Sequence, residues 1–97
     1  MATGMLVQIP GMNSDVYDSV MEHLDWDGKP LPQGFVSHYA GSTATGWVVF
    51  DIWDSQEEFE AFYEERLKDA LAAATGGQAP PMQPTFVQIH REAHAGG

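Results

Sequence analysis

Trp47-Val48-Val49-Phe50-Asp51-Ile52-Trp53, followed at once by Asp54-Ser55-Gln56-Glu57-Glu58-Phe59, is the stretch on which the fold turns. Its first seven residues are β-branched or aromatic apart from Asp51. Successive side chains of a strand point to opposite faces, so this strand is apolar on both. Such a strand has to be covered on both sides. The second half opens a helix. Asp54 or Ser55 is its N-cap, and Ser55-Gln56-Glu57-Glu58 has the capping-box form, in which serine and glutamate each satisfy a free backbone N–H. Phe59, Phe62, Tyr63, Leu67, Ala70 and Leu71 then share one face, with Glu57, Glu60, Glu64 and Lys68 elsewhere.

Outward from this core, Gly34 to Ala40 carries the β-formers Phe35, Val36 and Tyr39 and reads as a strand. The small polar segment Gly41 to Gly46 would join it to the Trp47 strand as a hairpin. Upstream, Met5 to Ile9 is a short apolar run stopped by Pro10 and Gly11, again a strand. Asn13 or Ser14 caps a helix over Ser14 to Leu24, in which Val16, Val20 and Leu24 recur at helical spacing beside Tyr17 and Met21. Asp25 to Gln33, with two prolines, is a loop. Thr75 to Pro84 contains Gly-Gly and Pro-Pro and is an extended connection, and Thr85 to Arg91 is the last strand. The expectation is one α+β domain over residues 1–97, of the ferredoxin-like βαββαβ type, with 92–97 a loose tail. Its four-stranded antiparallel sheet has both helices on one face.

That arrangement leaves a covering problem. The helices hide one face of the sheet, yet the Trp47 strand is apolar on both, and the chain has no spare element. An exposed face of that kind exceeds what soluble monomers normally carry. A second copy packed sheet against sheet solves it, so a homodimer through the open sheet face is expected. The 97 residues contain no cysteine, which excludes disulfides and thiolate metal sites as reinforcement. Aspartate and glutamate number 14 against 4 lysines and arginines, a formal charge of −10. A surface this negative repels nucleic-acid backbones and anionic lipid. No apolar run approaches a membrane span, and no signal-peptide pattern opens the sequence. A cytoplasmic protein with neither nucleic-acid nor membrane partners is expected.

Val49-Phe50-Asp51-Ile52-Trp53-Asp54-Ser55, then Glu57-Glu58-Phe59 and Phe62, resembles the dimeric α/β-barrel superfamily, and within it the antibiotic-biosynthesis-monooxygenase-like branch. The order of elements extends the resemblance over nearly the whole chain. The superfamily includes cofactor-free quinone-forming oxygenases, polyketide cyclases, lactone isomerases, haem-degrading enzymes and haem peroxidases, so fold does not give function. The resemblance implies a dimeric α/β barrel and a ligand site between helices and sheet of each subunit. Haem-degrading relatives place a Trp on the second helix and a His further along; here those positions are Phe62 and Ala72, which argues against that branch.

The residues themselves nominate His38 and Asp51 for chemistry. If the hairpin closes with Gly41 opposite Gly46, His38 pairs with Val49 and Val36 with Asp51, and His38 and Asp51 become diagonal neighbours on one face. A histidine held beside a carboxylate has an oriented ring, which suits it to act as a general base. A one-residue slip would separate them. Trp47 and Trp53 share the parity of Asp51 and would flank it. Phe59, Phe62 and Tyr63 supply further aromatic wall. Gln8, Gln88 and His90 are polar groups within apolar strands and are candidate ligand contacts. His23, near a helix C-terminus, has a plain electrostatic role. No metal motif and no glycine-rich phosphate loop is present, and no cofactor need be involved. The expected function is a homodimeric enzyme or binding protein for a small aromatic or polyketide-like compound, as a monooxygenase, isomerase or cyclase. The rival is a non-catalytic dimeric accessory module, and a third reading is a haem-binding member.

Overall fold

The computed structural model describes residues 2–78 and 82–96. Strand β1 (Thr3–Pro10) leads to helix α1 (Ser14–Leu24), then β2 (Phe35–Ser42) and β3 (Gly46–Trp53). The second helical arm runs as α2 (Gln56–Phe62), a π turn (Tyr63–Leu67) and α3 (Lys68–Ala74), and β4 (Thr85–Gln88) closes the order. All pairings are antiparallel, and the sheet runs β2-β3-β1-β4. This is the ferredoxin-like βαββαβ arrangement the sequence implied. No helix among the described residues is long and apolar enough to cross a membrane.

The caps explain where the helices start and stop. The Asn13 carboxamide oxygen accepts the Val16 N–H at 3.0 Å, and Asp25, left-handed at φ 52°, ends α1 with its N–H on the Glu22 and Met21 carbonyls. At α2 the Ser55 hydroxyl accepts the Glu58 N–H at 3.3 Å and donates to the Glu58 carboxylate at 2.9 Å, half of the anticipated capping box made by side chains. The helical arm is not one uniform helix. Its π turn carries Arg66, whose guanidinium donates to the Leu24 and Pro30 carbonyls at 3.4 and 3.3 Å and lies 5.6 Å from the centre of the Phe62 ring. Arg66 thus ties the arm to the end of α1 and to the loop after it.

Alternation along β1 divides the molecule. Met5, Val7 and Ile9 are buried under the helices, while Leu6 and Gln8 point to the opposite, open face. The core joins those three to Val20 and Leu24 of α1, Trp47 and Trp53 of β3, and Phe59, Phe62, Ala70 and Leu71 of the helical arm. On the open face the pairing aligns Tyr39, Phe50, Leu6 and Thr85 in one row and Ser37, Ile52, Gly4 and Val87 in the next. Gly4 is needed there: an added Cβ would press on Ile89 and Phe50 at 3.2 and 3.3 Å.

Three boundaries differ from expectation. The β2–β3 hairpin does not close at Gly41 and Gly46. Thr43 pairs with Gly46 instead (N–H to carbonyl, 2.9 Å), and the Thr43 hydroxyl accepts the Thr45 and Gly46 N–H groups, which holds a two-residue turn further along the chain. Gly46 is required at its end, because a Cβ would fall on the Ile9 carbonyl. Val36 is the extra residue of a bulge between Phe35 and Ser37 and does not face Asp51. The last strand stops at Gln88 rather than Arg91, although the Ile89 N–H still reaches the Ala2 carbonyl. The Pro-Pro pair and Gly97 lie outside the described residues.

Candidate active site

The two-residue shift of the hairpin keeps side-chain parity and brings His38 directly opposite Asp51, where a diagonal neighbour was expected. Both point toward the helices. His38 Nδ1 lies 2.5 Å from Asp51 Oδ1, and the Trp53 indole N–H donates to Asp51 Oδ2 at 3.1 Å. Asp51 is 5% exposed, so its charge is taken from water and offset by these two donors. A carboxylate only accepts, so the proton between them belongs on His38 Nδ1, and the other nitrogen of the neutral ring is an acceptor. That nitrogen, Nε2, lies 2.6 Å from the Tyr17 hydroxyl, which therefore donates to it. The result is one chain of hydrogen bonds: Tyr17 to His38 to Asp51, with Trp53 holding the far oxygen of the carboxylate.

Tyr17 is firmly placed. Its ring lies beside that of His38 in a nearly parallel plane (centroids 5.9 Å, planes 5° apart) and leans on Trp47 (5.2 Å). Burial first, and then the negative charges of Asp51 and Asp18, push its phenol above the ordinary value of 10.0. Trp26, from the loop that Arg66 anchors, sits 6.4 Å from His38 and edge-on to Phe35 and Phe62.

These groups border a cavity of ≈70 Å³ between sheet and helices. Tyr17, His38, Asp51 and the indole of Trp26 are set in walls that are otherwise aliphatic, aromatic or methionine. Asp51 is the sole charged residue among the described lining, and no lysine or arginine reaches it. Met5, Met12, Met21 and Met82, four of the chain's five methionines, all contribute wall. Methionine is flexible and polarisable, and it adapts to what it touches.

Of the residues singled out in the sequence, His38, Asp51, Trp53, Phe59 and Phe62 meet at this cavity. Trp47 is buried behind Tyr17 without lining it. Tyr63 faces a separate surface cleft with Glu60 and Pro84. Gln8, Gln88 and His90 are exposed and stay away from the cavity: Gln8 is on the open face, Gln88 at the margin of the edge strand and His90 beyond its end. The sequence reading passed over Tyr17 and the methionines. Tyr17 stood in the apolar stripe of α1, and its hydroxyl had no visible partner until the hairpin register placed His38 beneath it. His23 makes the local contact expected of it, Nδ1 on the Ser19 carbonyl at 2.8 Å. Among the described residues no cluster of three or more His, Asp or Glu is arranged to hold a metal ion. Haem does not fit: the cavity has no room for a porphyrin, and both His38 nitrogens are engaged.

Neither a protein-family model nor a curated protein sequence matches the chain. Solved structures do. A protein of unknown function from Nitrosomonas europaea superposes with a TM-score of 0.68 at 15% identity, over 99% of this chain and 96% of that one. A candidate antibiotic biosynthesis monooxygenase from Deinococcus radiodurans gives 0.62 at 10% identity, with all of both chains covered. SnoaB, a cofactor-independent oxygenase from Streptomyces nogalater, gives 0.58 at 15% identity, over 94% of each chain. The chain shares the ferredoxin-like βαββαβ fold of these proteins. At these identities the likeness is one of architecture, and the chemistry has to be argued from the cavity.

Proposed function

We propose that this protein is a homodimeric acid–base enzyme for a small aromatic molecule, with His38 as the proton acceptor and Asp51 as the group that orients it. One observation carries the reading: a histidine, hydrogen-bonded to a buried carboxylate, borders an otherwise apolar cavity. Removing a proton from a phenol or an activated carbon there leaves an electron-rich anion. Such an anion can react with dioxygen, isomerise or cyclise. The cofactor-independent oxygenase among the structural relatives favours the first outcome by analogy of fold. Dimerisation is supported by the open face. Leu6, Tyr39 and Val87 are 36%, 64% and 47% exposed there, and the rows they belong to hold no charged residue in a chain of formal charge −10. Two copies repel everywhere except across such a surface.

The test is oxygen uptake and absorbance change with a panel of phenols and naphthols, for the native protein and His38→Ala. Turnover by the native protein that falls by ~10²-fold or more in the variant supports the assignment. Equal turnover in both removes His38 from the mechanism. A second reading is favoured by one specific fact, that protein groups already occupy both His38 nitrogens. The protein would then be a dimeric module in which Tyr17, His38, Asp51 and Trp53 only satisfy one another, and no phenol or naphthol would be turned over or bound.

A further inference from the structure

A base whose accepting nitrogen is already taken cannot touch a ligand directly. His38 Nε2 receives the Tyr17 hydroxyl at 2.6 Å, and the Tyr17 ring packs on Trp47, so it does not swing aside without losing both contacts. Tyr17 itself borders the cavity. A phenol has one proton and two lone pairs. The proton is committed to His38, and accepting capacity remains on the same oxygen.

We infer that Tyr17, and not His38, is the group that meets the ligand, as the outer member of a Tyr17–His38–Asp51 relay, and that the ligand is an uncharged single ring bearing one hydroxyl or enolisable carbonyl. The inference rests on the proposal that this cavity binds and deprotonates a small molecule. The ligand's proton passes to the Tyr17 oxygen as the Tyr17 proton passes to His38 Nε2. The ligand becomes an enolate or phenolate, Tyr17 remains a neutral phenol donating to it, and the imidazolium is balanced by Asp51. One proton has moved from ligand to His38, and no electron acceptor is required. The raised affinity of Tyr17 for its proton agrees with a group that stays neutral before and after the transfer.

The ligand class follows from the walls. With no cation in the described lining and Asp51 already there, a carboxylate or phosphate would lose its hydration and gain nothing in return. Asp51 is buried and already holds the His38 and Trp53 donors, so an ammonium group would lose its hydration for little return. The apolar walls leave a ligand little to hydrogen-bond beyond Tyr17. A cavity of ≈70 Å³ is about half the roughly 150 Å³ that holds a benzene ring in an engineered apolar core. One ring enters if the methionine side chains shift, and a fused polycycle does not.

The experiment uses 4-methylphenol, toluene and 4-methylbenzoate, three rings of similar width that differ in the polar group. Binding to the full chain is followed by tryptophan fluorescence and by ligand-observed NMR. The native protein is expected to bind 4-methylphenol about tenfold more tightly than toluene and to bind 4-methylbenzoate more weakly than either. Tyr17→Phe keeps the ring and its packing on Trp47. It should lower 4-methylphenol affinity about tenfold, the size of one hydrogen bond to a buried group, and leave toluene binding unchanged. His38→Gln should change 4-methylphenol affinity less than threefold, because Tyr17 stays in place. If His38→Gln abolishes the preference for the phenol and Tyr17→Phe keeps it, the ligand meets His38 directly; the relay is then wrong and the proposed function stands. If 4-methylbenzoate binds as well as the phenol, the uncharged class is wrong. If the native protein binds none of the three, this inference and the proposed function both fall.

Discussion

The two faces of β1 and β3 are built from the same kinds of side chain and end in opposite circumstances. Under the helices, Met5, Val7 and Trp53 are at most 2% exposed, and Tyr17, His38, Asp51 and Trp53 are joined into one hydrogen-bonded chain, while the Trp47 indole N–H is buried without a partner. On the other side, Leu6, Phe50, Ile52 and Val87 form an apolar surface with no polar network and no cover within the described residues. A polar group next to apolar neighbours is tolerated only where its partners are fixed. The helix side supplies fixed partners for Tyr17, His38 and Asp51, and the open side has no such set. Acid–base chemistry therefore suits the one face and self-association the other.

The comparison is broken most severely by placing a carboxylate on each face in turn. Val7→Asp buries an unpaired charge beneath the helices, a cost of several kcal/mol that rivals the whole stability of a small domain. Its circular dichroism should be that of an unfolded chain. Leu6→Asp, one residue away, should keep the native spectrum and convert a two-copy species to a single copy in sedimentation. If both variants fold and both sediment as the native protein does, the faces do not differ as described. A smaller effect is expected within the helix-covered face. Trp53→Phe keeps most of the ring but leaves Asp51 Oδ2 without its N–H, which should lower unfolding stability by about 1–3 kcal/mol. A denaturant midpoint equal to that of the native protein would show that the indole hydrogen bond is idle.

The smallest effect concerns pH. Tyr17 holds its proton more tightly folded than unfolded, so its contribution is complete below about pH 10 and is lost as pH rises through the higher folded value. Unfolding midpoints measured at pH 8 and pH 11 should therefore fall further in the native protein than in Tyr17→Phe. Groups common to both proteins cancel in the difference. An identical fall would mean that burial and the neighbouring aspartates leave Tyr17 unaffected.

The fold was legible because its cues are local. The Trp47–Trp53 strand, the Ser55 cap and the Ser14–Leu24 stripe each state an element within a few residues, and the Pro and Gly clusters separate them. The site was legible only in part, because it depends on pairing across strands. Register was misjudged by two residues, since Gly41 and Gly46 looked like the ends of the turn while the Thr43 hydroxyl sets it. An even error preserves parity, and His38 and Asp51 still met. Gln8 shows the opposite case. Nothing in the sequence says which face of β1 receives the helices, and Gln8 shares the outward parity of Leu6. Tyr17 was hidden by its own suitability as core material. The π turn left no mark, because Tyr63 to Leu67 has an ordinary helical composition.

That turn has a consequence for chain length. A π turn accommodates one residue more than an α-helix would over the same rise. Deleting a single residue between Tyr63 and Leu67 would restore even winding without rotating α2 against α3, so Phe59 and Phe62 at one end and Ala70 and Leu71 at the other would keep their bearings. Helix interiors ordinarily forbid one-residue gaps. Here such a gap is permitted, and related chains that differ in length by one have a place within the arm to differ.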